Sequence, residues 1–128
     1  MILAHWTYTK EEWKAFTHSV RRKKSFFHRI VSFFLPINLK VIPEISITPG
    51  EVLIGKNNRH FSNAVNQLRQ ISIREDGSIN IMEITYESFR NTVVELNEIR
   101  VPVPRGKLKE AFEVERKLNE VRRVTLRD

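Results

Sequence analysis

The chain has 128 residues, the size of one domain, and a formal net charge of +7. Its hydrophobic fraction of 41% and charged fraction of 29% are those of a chain that folds, and the absence of cysteine excludes disulfides, thiolate metal sites and a cysteine nucleophile. The longest uncharged stretch, Ile30 to Leu39, is about half of the roughly 20 apolar residues that a membrane-spanning helix needs. The opening Met1-Ile2-Leu3-Ala4-His5-Trp6 has neither a basic start nor a long apolar run, so the expected location is cytoplasmic, with peripheral contact at the inner face of a membrane as an extension of that reading.

Thr9 and Glu12 have the spacing of a capping box, with Tyr8 and Trp13 in the positions of a hydrophobic staple, so a helix is predicted from Lys10. Trp13, Phe16, Val20, Phe27, Ile30 and Phe34 follow at three- and four-residue steps up to Pro36. One continuous helix over that range would measure on the order of 37 Å, so the pattern predicts a bend near Arg21-Arg22-Lys23-Lys24 or a projecting end. Residues 1–37 are thus expected to be a basic amphipathic helical segment that folds as one unit with residues 38–128.

After Pro36 the period changes to two. Ile45 and Ile47, then Val52 and Ile54, flank Pro49-Gly50 and predict a hairpin. Lys56 to Arg59 is the next turn candidate, and Asn63 to Gln67 reads as irregular. Asp76-Gly77 predicts the tip of a further hairpin, with Ile71 and Ile73 leading in and Ile79 and Ile81 leading out on matching faces. Between Thr92 and Val103 the apolar residues change parity, which predicts a bulge near Asn97, and Pro102 predicts an edge strand. Leu108, Ala111, Phe112, Val114, Leu118 and Val121 form the stripe of a final helix, Lys107 to Arg123, expected to pack on the sheet. The fold class is therefore α+β: an N-terminal helix, an antiparallel meander and a C-terminal packing helix.

Two segments carry a family resemblance. Ile47-Thr48-Pro49-Gly50-Glu51-Val52-Leu53-Ile54-Gly55 and Val101-Pro102-Val103-Pro104-Arg105-Gly106 resemble the opening hairpin and last strand of bacterial pleckstrin-homology-like domains of the YcxB-like and related small membrane-associated groups. Trp6 to Trp13 resembles the segment before a membrane hairpin in such proteins. The resemblance spans residues 40 to 123 and implies a half barrel that binds or scaffolds, often at a membrane, with no catalytic residue to transfer. The transmembrane segments of those groups have only Ser25 to Pro36 in their place here.

Catalytic and cofactor motifs are missing. His5, His18, His28 and His60 show no zinc-ligand spacing, and Gly50, Gly55, Gly77 and Gly106 are too scattered for a phosphate loop. Glu110, Glu113 and Glu115 stand among Lys107, Lys109, Arg116 and Lys117, the pattern of ion pairs along a helix. No cofactor or metal is expected and no enzyme. The charge excess lies early: residues 1–50 hold eight Lys or Arg against three Glu. Arg21, Arg22, Lys23, Lys24 and Arg29 beside Phe26, Phe27, Phe33 and Phe34 are the candidate binding residues, cations for an anionic surface and aromatics for apolar contact. The competing structural account makes these phenylalanines core or a homo-oligomer interface formed by the N-terminal helix, and the basic run a solvated bend. The expected partner is an anionic lipid surface or another protein. The alternative is a small nucleic-acid-binding protein, in which Phe27 or Phe61 stacks on bases.

Overall fold

A computed structural model describes residues 1–22, 42–90 and 92–127. Their elements are β1 (Ala4–Trp6), α1 (Lys10–Arg22), β2 (Ile45–Ile47), β3 (Glu51–Ile54), β4 (Asn57–His60), β5 (Asn66–Asp76), β6 (Ile79–Arg90), β7 (Val93–Val103) and α2 (Leu108–Arg127). The fold is α+β, with two antiparallel sheets ordered β1-β2-β3-β4 and β5-β6-β7.

The first sheet begins with a strand too short to show a pattern in the sequence. Ala4 and Trp6 pair with Ile47 and Ile45, and all four turn inward beside Val52. His5 falls on the outer side, where its Nδ1 lies 2.8 Å from Ser46 Oγ. The β2–β3 hairpin turns through Thr48, Pro49 and Gly50 as expected, with the Glu51 N–H donating to Thr48 Oγ1 at 3.1 Å. The following turn sits earlier than the asparagines suggest. Gly55 adopts a φ of 61°, so Gly55-Lys56 makes the loop and Asn57–His60 becomes strand β4.

The second sheet is a three-stranded meander. Asp76 pairs with Ile79, which places Gly77, at a φ of 65°, and Ser78 at the tip of the β5–β6 hairpin. This register corrects the expected faces. Ile71 and Ile73 face Ile84 and Met82, whereas Ile79 and Ile81 face Asp76 and Arg74 on the opposite side. A shift of one residue exchanges the faces of a strand, and both sides of this sheet are buried, so each isoleucine pair finds apolar surroundings.

A bulge does occur, but in β5: Leu68 pairs with Tyr86 and Gln70 with Thr85, leaving Arg69 as the extra residue. The bulge expected near Asn97 is absent, and β7 pairs without interruption from Arg90–Val93 to Asn80–Val103. Its change of parity has another cause. Val93, Val94 and Leu96 lie beyond the core and are exposed, so only the second half of the strand keeps an inward apolar row. Pro102 lies on an edge strand, as its missing N–H requires.

Each helix serves one side of the assembly. Ala111, Val114 and Leu118 of α2 enter the common core, and the helix packs on β5. Helix α1 buries Trp13 and Phe16 and meets β6 and β7. Ser19 hydrogen-bonds to Asp76, which fixes α1 on the face that carries Arg74.

The start of α1 is a complete capping box: the Thr9 N–H donates to Glu12 Oε1 at 2.8 Å, and the Glu12 N–H donates to Thr9 Oγ1 at 3.1 Å. The Tyr8 and Trp13 rings, 5.6 Å apart, form the staple. Glu12 Oε2 also receives the Arg105 N–H at 2.6 Å. Burial alone would raise the Glu12 pKa, but the N–H donors of Thr9 and Arg105 outweigh it and hold the carboxyl below its ordinary value. Thr9→Ala should lower stability by about 1 kcal/mol, read as a lower denaturant midpoint at unchanged slope. Because the folded pKa of Glu12 is depressed, its contribution is complete above the unfolded pKa and disappears as pH falls through the folded value. Glu12→Ala should therefore lose stability at neutral pH and show a smaller further loss on acidification than the parent.

Candidate functional site

The exposed and the buried cations of the chain do different work. On α1, Lys10, Lys14 and His18 recur at four-residue intervals, so helix geometry sets them on one face. All three are exposed, while Trp13, Phe16 and Thr17 are buried behind them. The helix ends on Arg21 and Arg22, the first two of the expected binding residues. The others, Lys23, Lys24, Phe26, Phe27, Arg29, Phe33 and Phe34, lie outside the described residues. An open cleft of about 350 Å³ adjoins the first turns of the helix, lined by Lys10, Glu11, Trp13, Lys14 and Ile42.

A second group of charges, not anticipated from the sequence, crosses β5, β6 and β7. Glu83 stands at its centre: Oε1 accepts from Arg74 Nε at 2.8 Å, and Oε2 lies 3.3 Å from Arg100 Nε. Arg100 Nε also donates to Glu98 Oε1 at 2.5 Å, and Arg74 reaches Asp76 at 3.7 Å. Arg100 is 0% exposed and Glu98 8%. Desolvation raises the Glu98 pKa, Arg100 opposes that shift, and Glu83 adds to it. In sequence these residues are scattered, and only the pairing of Glu83 with both Ser72 and Arg100 brings them to one face. The visible signal was the two-residue spacing of Arg74 and Asp76 and of Glu98 and Arg100, which becomes informative once the register is known. This row ties three strands together beneath α1.

Several other charged residues are paired with their neighbours. Arg69 grips Glu87 with two bonds of 2.9 Å, and Arg116 joins Glu113 along α2, as the helical spacing predicted, and also Glu120, which lies outside the expected cluster. The hydrogen bond to Arg116, with its positive charge, lowers the Glu113 pKa. His5, His18 and His60 lie on β1, α1 and β4, and among the described residues no group of three or more His, Asp or Glu is placed to hold a metal ion. Phe61 is 0% exposed, so it cannot stack on bases as the nucleic-acid reading supposed. Among the described residues no helix is long and apolar enough to cross a membrane. No protein-family model matches the chain, and neither a curated protein nor a solved structure is found to be similar to it.

The buried row makes two measurable claims. Arg100→Ala should destabilise the fold by about 3–5 kcal/mol in chemical denaturation, since it leaves the buried Glu98 carboxylate without its cation. The raised Glu98 pKa has the opposite sign from Glu12: the folded state holds the proton more tightly, so this stability is present below the unfolded pKa and lost as pH rises through the folded value. Glu98→Gln should flatten that decline in a pH series of melting temperatures.

Proposed function

We propose that the protein is a non-catalytic binding module that docks peripherally on an anionic lipid surface through the basic side of α1. The observation that carries the reading is the exposed row Lys10, Lys14 and His18, set against the buried Trp13 and Phe16 on a helix that ends in Arg21-Arg22. Lys23, Lys24 and Arg29 add cations, and Phe26, Phe27, Phe33 and Phe34 supply the apolar contact that charge alone lacks. The cleft between Lys10 and Lys14 offers an anionic head group a recess beside the indole of Trp13. A half barrel of the pleckstrin-homology-like kind, with the scaffold role that the hairpin and last-strand motifs imply, accords with the same reading.

Binding is measured with phosphatidylserine-containing vesicles, neutral phosphatidylcholine vesicles and a single-stranded oligonucleotide, each titrated with salt. The expected result is salt-sensitive binding to the anionic vesicles alone. Each cation near such a surface contributes on the order of 1 kcal/mol, so joint change of Arg21, Arg22, Lys23 and Lys24 to Gln should remove most of the affinity. Lys10→Gln with Lys14→Gln should weaken it roughly thirtyfold with the fold intact. Phe27→Ser with Phe34→Ser should abolish binding and leave the melting transition in place; an unfolded variant would assign these rings to the core. Tighter binding to the oligonucleotide than to the vesicles would overturn the proposal in favour of nucleic acid.

A further inference from the structure

The outer edge of β7 is chemically defined by two residues at opposite ends of the β6–β7 ladder. Pro102 faces Ile81 and has no N–H, so that pair exchanges no complete set of ladder bonds, and its carbonyl instead accepts the Tyr8 hydroxyl at 2.7 Å. Antiparallel pairs alternate, so Arg100, Glu98, Leu96 and Val94 also turn N–H and C=O away from β6. The far end agrees: Phe89, opposite Val94, sends its N–H the other way, to the Val65 carbonyl at 2.8 Å. Val94 and Leu96 therefore present two donors and two acceptors at the sheet edge.

The same stretch is apolar and exposed. Val93, Val94 and Leu96 are 56%, 55% and 59% exposed, and Phe89, on the same face as Val94, is 39% exposed. Natural edge strands are guarded by charged side chains, lysine above all, by proline, a bulge or a cover. Val93 to Leu96 holds one charge, Glu95, but no lysine, proline or bulge, and among the described residues no strand pairs with this edge.

We propose that two copies of the chain join edge to edge here, antiparallel about a two-fold axis at Val94, to make one six-stranded sheet. The register follows from elimination. Outward-turned residues must meet outward-turned residues, which within Val93 to Leu96 leaves axes at Val93, Val94, Glu95 or Leu96. An axis at Val93 sets Leu96 against residue 90 of the second copy, which belongs to β6, so the Leu96 edge groups stay unpaired. An axis at Glu95 sets that carboxylate against its own copy, a like-charge pair. An axis at Leu96 asks Glu98, already 8% exposed, to accept a strand. The axis at Val94 pairs exposed residues only: Val93 with Glu95 of the second copy and Leu96 with Thr92 of the second copy. It also lines up Phe89, Val94 and their copies as one apolar row across four strands. A contact of this length falls below the roughly 1,200 Å² of a standard interface, so the association is reversible and rises with concentration.

The chain has no cysteine, so a single introduced thiol reports the axis. Facing residues of a hydrogen-bonded antiparallel pair have Cα atoms about 5.5 Å apart, inside the range a disulfide spans. Val94→Cys should give a covalent dimer under mild oxidation. Leu96→Cys should not, because its two copies would stand about 13 Å apart along the strands. In sedimentation velocity the parent should gain mass with concentration, and Val94→Lys should lose that gain at an unchanged melting temperature. The proposal is overturned by a parent that stays monomeric at its highest soluble concentration, by a lysine variant that associates like the parent, or by crosslinking at Leu96 equal to that at Val94. Should the lysine variant fail to fold, the two cysteine variants decide.

Discussion

The placement of α1 depends on the carboxylate of Glu12. One oxygen closes the capping box with Thr9, and the other receives the N–H of Arg105, 93 residues further along the chain. Around it, the Tyr8 hydroxyl donates to the Pro102 carbonyl and the Trp6 indole to Glu110 at 3.0 Å. A local capping motif has thereby become a tertiary joint. The helix that carries the basic row is held at its first turn by the segment connecting β7 to α2, so the direction of its exposed face is set by residues remote in sequence.

What was legible in the sequence was what short-range chemistry dictates. The Thr9–Glu12 spacing specifies a cap whatever follows, and Pro49-Gly50 and Asp76-Gly77 mark hairpins where the structure has them. The stripe of Ala111, Val114 and Leu118 names the buried side of α2, although Phe112, assigned to the same stripe, is 51% exposed. Features set by distant partners escaped. Strand β1 exists because Ile45 and Ile47 offer it an edge, and three residues alone carry no period. The faces of Ile79 and Ile81 depend on which residues close the loop, and one position reversed them. For the candidate site, the sequence singled out Arg21 and Arg22 as cations and predicted only a bend or a projecting end near them. The end of α1 at Arg22 and the row of Lys10 and Lys14 stand out once the cap orients the helix.

Charge is divided between two environments in a way that composition conceals. Arg74 and Arg100 are absorbed by Asp76, Glu83 and Glu98, where Glu83 is shared between the two arginines and removal of Arg100 leaves the buried Glu98 without its cation. Lys10 and Lys14 stand in solvent, where a nearby carboxylate contributes little to stability. The first set is fixed by folding and the second remains available to an external anion. Counting arginines and lysines treats both alike.

The pairing of β1 has a consequence for the order of assembly. Trp6 is made before its partners: its strand partner Ile45 lies 39 residues behind and its indole acceptor Glu110 lies 104 behind. The anchors of α1 at Pro102 and Arg105 are equally late. Contacts of such sequence separation form slowly because a long loop must close before they are rewarded. During synthesis the hairpins from β2 to β7 can form from neighbouring residues, while the first strand and the start of the first helix await the closing segment. The first-made residues of this fold are thus among the last secured.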